Sequence, residues 1–131
     1  MKPAKCVDFI MLRRGKFLVE KRRVDDDTDP GLIEIPGGHI EPGEAFEDAL
    51  KRECGEELGV VPIEYSFVHK GLYQATSELQ ELNYCVVTEW SGRIKGSEAE
   101  SHKWLTLKQI DKLDIQIDRD AMRRVLERVR S

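Results

Sequence analysis

No apolar run in the 131-residue chain approaches the roughly 20 residues of a membrane span. The N-terminus carries no signal-peptide apolar region either, so a cytoplasmic protein with no membrane partner is expected. Cysteine is scarce. Cys6, Cys54 and Cys85 are odd in number and show neither CxxC nor Cys/His metal spacing. They read as buried thiols in a reducing compartment, which argues against a disulfide or a zinc role. His39, His69 and His102 also lack ligand spacing and read as ordinary histidines. An excess of positive charge is missing: 21 Lys and Arg face 25 Asp and Glu, a net charge of −4. That argues against a sequence-independent grip on a nucleic-acid polymer. A nucleotide is still admitted, since it needs only a local basic site and a metal. No internal repeat or linker is visible, so residues 1–131 read as one domain, monomeric or homodimeric.

What is present is a series of strands around one helix, with a second helix at the end. Lys5 to Leu12 alternates around Val7, Phe9 and Met11 and reads as a strand. Phe17 to Arg22 returns after a turn. Val24 to Gly31 holds Asp25, Asp26, Asp27 and Asp29 and reads as a solvated loop. Leu32 to Ile35 is a short strand leading into Pro36-Gly37-Gly38. Ile63 to Tyr73 and Leu82 to Trp90 are β-rich, joined by the polar stretch Gln74 to Glu81. Trp90 reads as strand core, with stacking on a base as the alternative. A polar loop, Gly96 to Lys103, precedes the apolar segments Trp104-Leu105 and Leu107 to Leu113. Asp118 or Asp120 is expected to open a C-terminal helix. Its Met122, Val125, Leu126 and Val129 should pack inward, and its five arginines should face out. The pattern predicts an α/β (α+β) sandwich with a mixed sheet.

The most informative stretch is Gly38 to Val60. Breakers Pro36, Gly37, Gly38, Pro42 and Gly43 forbid regular structure before Glu44, and Ala45 to Leu58 then reads as a helix ending on Gly59. Phe46, Ala49, Leu50, Cys54 and Leu58 form one apolar arc. Glu53 and Glu57 project into the middle of that arc, and Glu56 sits at its edge. A helix built only to fold would place Leu there. Buried ionised carboxylates cost several kcal/mol unless paired or bound to metal, and on adjacent turns they repel one another. A hard divalent cation removes that problem, and Mg²⁺ often bridges a few carboxylates to substrate phosphates.

These residues resemble the signature of the Nudix hydrolases, G-x5-E-x7-R-E-U-x-E-E-x-G-U with U aliphatic. Gly38, Glu44, Arg52, Glu53, Glu56, Glu57, Gly59 and Val60 fill the fixed positions, and Cys54 stands at the first U site. The resemblance implies an α/β/α sandwich whose loop–helix–loop is catalytic. It implies Mg²⁺, with Mn²⁺ able to substitute, held by Glu53, Glu56, Glu57 and a backbone carbonyl of Gly37 or Gly38. Arg52 would orient Glu53 or Glu57, and Glu44 would order the loop or hold an outer-shell water. Short MutT-like members use a further glutamate before a Trp-Leu segment. Glu98, and after it Glu100, competes for that role as base and metal ligand. Arg22 or Arg23 falls where the family places a nucleotide-contacting arginine, with surface charge as the alternative. Asp118 or Asp120 falls near where relatives read a purine edge, with a helix N-cap as the alternative.

The activity so implied is cleavage of a nucleoside diphosphate linked to X, foremost a (d)NTP to (d)NMP and pyrophosphate, as in nucleotide-pool sanitation. ADP-sugar and dinucleoside-polyphosphate hydrolases are the alternatives. Ala75 and Ser77 stand where those subfamilies carry a proline or a tyrosine. A non-catalytic nucleotide sensor is a third reading, but its expected mark, loss of an acid of the box, is missing. Isopentenyl-diphosphate isomerases are longer and use a cysteine and histidines with no counterpart placed here.

Overall fold

A computed structural model describes residues 2–95 and 101–130. The order is β1 (Ala4–Arg13), β2 (Lys16–Lys21), β3 (Ile33–Glu34), β4 (Gly37–His39), α1 (Phe46–Leu58), β5 (Val61–Gln74), β6 (Leu79–Ser91), β7 (Ser101–Thr106), a 3₁₀ segment (Leu107–Lys112) and α2 (Gln116–Arg130). The strands join as β3-β2-β1-β6-β5, with β4 pairing β1 and β7 pairing β2. β1 runs parallel to β6 from Ala4↔Gln80 to Met11↔Val87, while the other pairings are antiparallel. The sheet is therefore mixed, as expected.

β1 is buried along both faces, which its alternation only half revealed. Val7, Phe9 and Met11 pack with Ala49, Leu50, Cys54 and Leu58 of α1. Cys6 and Ile10 pack with Ala121, Met122 and Val125 of α2. A central strand with a helix over each face reads as a near-continuous apolar run. The two clusters give the layered α/β/α arrangement.

α1 ends where the sequence placed its stop. Gly59 is left-handed, at φ 71°, and its cap N–H groups reach the carbonyls of Cys54 and Gly55. The second helix departs from expectation in two places. Val129 is 56% exposed, one turn past the sheet's cover. Asp118 does not cap the helix: it lies in the first turn of α2 and is fully buried. Ser101 to Lys103, read as loop, begin β7 instead and pair with β2 from Lys21↔Ser101 onward. Trp90 is core: it stacks on Trp104 with ring centroids 6.3 Å apart, and the Arg13 guanidinium lies 3.8 Å from its centroid.

Candidate active site

Arg52 organises the acids of α1. Its Nε and Nη2 donate to the two Glu44 oxygens at 2.8 and 2.9 Å. Nη1 donates to Glu53 Oε1 at 2.8 Å and to Glu56 Oε2 at 3.3 Å, and Nη2 also reaches the His39 carbonyl at 2.9 Å. A planar fork can hold this many acceptors in fixed directions, as a lysine cannot. Glu44 also accepts the Glu41 N–H at 3.0 Å. The Arg52 pairing, then this backbone bond, hold the Glu44 carboxyl down at about 2. Glu44 thus orders the loop through Arg52.

Glu53 is buried, its carboxyl pulled upward by desolvation and downward by Arg52. It lies against the bare Cα of Gly38, where a Cβ would sit 2.0 Å from Glu53 Oε2. Gly38 is glycine because the carboxylate occupies the place of a side chain. Glu57 is half-buried and Glu56 is exposed, so only Glu53 pays the full desolvation expected of all three. Glu53 and Glu57 line a 280 Å³ cleft with Glu20, Arg22, Gly37, Gly38, His39, Glu41 and Arg52. The donors here are oxygens, the set a hard cation takes. The carboxylate seated on Gly38 is fixed before any ion arrives, so the residues fit Mg²⁺.

A second cavity of 140 Å³ shares Glu20, Arg22, Gly37, Gly38 and His39 with this cleft. Asp8, Asp29, Glu34 and Asp118 line it too, all four buried. Asp118 accepts from the Tyr84 hydroxyl and, at 3.0 Å, from the Ile35 N–H. Burial pushes Asp118 up to about 7. Burial, then a hydrogen bond with Asp29, push Glu34 up to about 11, so Glu34 keeps its proton. Asp29 accepts from Tyr73 Oη at 3.0 Å, and its N–H donates to Thr76 Oγ1 at 2.8 Å. The loop read as solvated therefore delivers one acid inward.

The structure brings Arg22, Gly37, Gly38 and Asp118 together with Glu53 and Glu57. Arg22 is tied to the Thr28 carbonyl at 2.8 Å and to Asp26 at 3.1 Å, with Glu20 at 3.4 Å. Arg23 is not part of the site: it is exposed and pairs with Asp25. Asp120 faces another groove and accepts from Gln116 at 2.7 Å. Glu98 and Glu100 lie outside the described residues. Asp8, Glu20 and Asp29 were missed. Asp8 and Glu20 did leave a signal, as acids interrupting the apolar runs of β1 and β2.

The fold is that of the MutT type. A crystal structure of a MutT NUDIX hydrolase from Burkholderia pseudomallei superposes with a TM-score of 0.82 at 24% identity, covering 95% of this chain and 99% of that one. The chain belongs to the Nudix family, whose domain model matches residues 2–128. Among curated relatives, the 8-oxo-dGTP diphosphatase of Escherichia coli is 35% identical over 86 residues, 66% of this chain and 67% of the relative. The CTP pyrophosphohydrolase of the same organism is 31% identical over 104 residues, 79% and 76% of the two chains.

Proposed function

We propose that this chain is a Mg²⁺-dependent pyrophosphohydrolase that converts a nucleoside triphosphate into the monophosphate and pyrophosphate. The observation that carries the reading is the Glu53 carboxylate, buried on Gly38 and clamped by Arg52 beside Glu57. Relatives whose names specify 8-oxo-dGTP and CTP support a nucleotide substrate.

Glu53, Glu56, Glu57 and the Gly37 carbonyl would hold the ion. Bound there, Mg²⁺ would offset phosphate charge and acidify a coordinated water. The side-chain places of Gly37 and Gly38 are taken by β1 and the Glu53 carboxylate, and their backbone borders the cleft where the phosphates would lie. Arg22, at the junction of cleft and cavity, supplies positive charge to a phosphate oxygen. Asp118 lies deep in the adjoining cavity, where the nucleoside end would sit. A carboxylate takes a proton from water as it attacks phosphorus, and the P–O bond to the departing group breaks. Glu98 is that base in this reading, with Glu100 second. The described chain resumes at Ser101, paired with Lys21, one residue from Glu20 and Arg22 at the cleft.

The test is a nucleotide panel that includes CTP, dGTP and 8-oxo-dGTP, with ADP-ribose and a dinucleoside polyphosphate as alternatives. Pyrophosphate release should require Mg²⁺ or Mn²⁺ and stop with EDTA. Glu57→Gln should lower the rate by at least about 10²-fold. Full turnover in EDTA would refute the metal requirement, and binding of every nucleotide without turnover would refute the hydrolase.

A further inference from the structure

A second group of ligating side chains lies beside the acid cleft and shares only His39 with its lining. Cys6 on β1 and His39 on β4 are register partners across the pair of strands. Glu78, in the turn between β5 and β6, closes on both. One donor atom from each of Cys6, His39 and Glu78 lies within 4.8 Å of the others. His39 Nε2 is 2.5 Å from Glu78 Oε2, and Gln80 Nε2 donates to the same oxygen at 2.9 Å. Cys6 and His39 also line the 140 Å³ cavity, which leaves a side of the group open.

We propose that Cys6, His39 and Glu78 form a second cation site, selective for Zn²⁺ and related borderline metals over Mg²⁺. The donor set decides the metal class. A thiolate, an imidazole and a carboxylate suit a tetrahedral transition ion with one open position, whereas Mg²⁺ prefers oxygen alone. The geometry needs small adjustments on binding. In a tetrahedral site the N and O ligands stand about 3.3 Å apart, so the His39–Glu78 contact opens by less than 1 Å. His39 is more than half exposed and its partner lies in a turn, so both ends can give.

A bound cation has to displace the Cys6 proton. Burial raises the Cys6 thiol to about 12, and Asp8, Glu78 and Glu53 add to that. The free site therefore holds a protonated thiol, and the incoming M²⁺ exchanges for that proton: Cys–SH + M²⁺ gives Cys–S–M⁺ + H⁺. The exchange leaves one more positive charge among the surrounding acids. Occupancy also bears on the acid cleft through the backbone. His39 follows Gly38, on which Glu53 rests, and its carbonyl accepts from Arg52. This site stands on its own residues and holds whether or not the proposed reaction is right.

The experiment is a Co²⁺ titration of the whole, reduced, chelator-stripped chain in excess Mg²⁺. One equivalent of Co²⁺ should produce a thiolate-to-cobalt charge-transfer band, and Zn²⁺ should abolish it. Cys6→Ser should lose the band. Glu78→Gln should keep it while weakening Co²⁺ binding about 10-fold or more. Glu57→Gln should leave both band and affinity unchanged, since its carboxylate belongs to the other site. No thiolate band in the wild type overturns the site, and so does a band that survives Cys6→Ser, which points to Cys54 or Cys85. If the Cys6 variant fails to fold, Glu78→Gln decides alone, because a partly exposed turn residue can be changed without breaking the core. Unchanged Co²⁺ affinity in that variant overturns the proposal.

Discussion

At the scale of single residues, the site turns on an atom that is missing. Gly38 has no Cβ, and the Glu53 carboxylate sits where one would be. Gly38→Ala should push that carboxylate aside. A displacement of about 1 Å at a reacting centre can cost about 10²-fold. The variant should therefore fold, melt close to wild type and lose about that much in kcat. An unchanged kcat would mean the position of Glu53 does not matter. The base is a second question for single residues. Glu98→Gln should lower kcat by about 10²–10⁴-fold with KM nearly unchanged, because a base acts in the transition state. Glu100→Gln should be almost silent, and a pH–rate profile should lose its acidic limb only in the Glu98 variant. A large loss in Glu100→Gln instead would move the base by two residues.

At the scale of elements, α1 reconciles two demands. One face packs on β1, while the acids emerge at its border with the glycine loop. Gly55 lies mid-helix with no atom within 4 Å of an added Cβ. Nothing in the packing requires glycine there. Gly55→Ala should stabilise the protein by about 0.5–1 kcal/mol in urea melts and leave the rate unaltered. A destabilised variant would mean the helix needs the freedom of glycine. β3 gives a pH-dependent counterpart. Glu34, held up at about 11, binds its proton in the folded state and releases it when unfolded. With the folded value raised, its contribution is fully present below the unfolded carboxyl range and is lost as pH rises toward 11. Glu34→Gln copies the protonated form. Its stability relative to wild type should grow with pH, by at most about 1.4 kcal/mol per unit. Parallel urea melts at pH 6 and pH 8 check this, and a constant difference between the two proteins refutes it.

At the scale of the whole molecule, the site arises where chain segments far apart in sequence meet. β1 to β6 and α2 all send residues into the inner cavity, and α1 adds the acids of the adjoining cleft. Buried acids collect there: Asp8, Glu20, Asp29, Glu34 and Asp118. A core built for stability alone would not gather them, since each costs desolvation. Hydroxyls, a backbone N–H and Arg22 partner Asp29, Asp118 and Glu20, while burial pushes Asp8 and Glu34 toward their neutral forms. Among the described residues no helix is long and apolar enough to cross a membrane.

The sequence by itself determined the helix Phe46–Leu58, its glycine stop and the misplaced acids on its apolar arc, because local spacing carries that information. It also determined the mixed strand-and-helix composition and, through the box, the family. Only the tertiary structure decided which acids turn inward. Asp29 sits in a loop whose composition reads as solvent-facing, and its burial depends on Tyr73 and Thr76, more than 40 residues away. Asp118 reads as a helix cap, and its bonds to Tyr84 and Ile35 reverse that. Arg22 and Arg23 are neighbours of one type, and the end of β2 turns just one of them to the cleft. Cys6, His39 and Glu78 have no local spacing at all and meet only because β1 pairs with β4 beneath the β5–β6 turn. Periodicity reports one element at a time, whereas burial and charge partners depend on how elements pack.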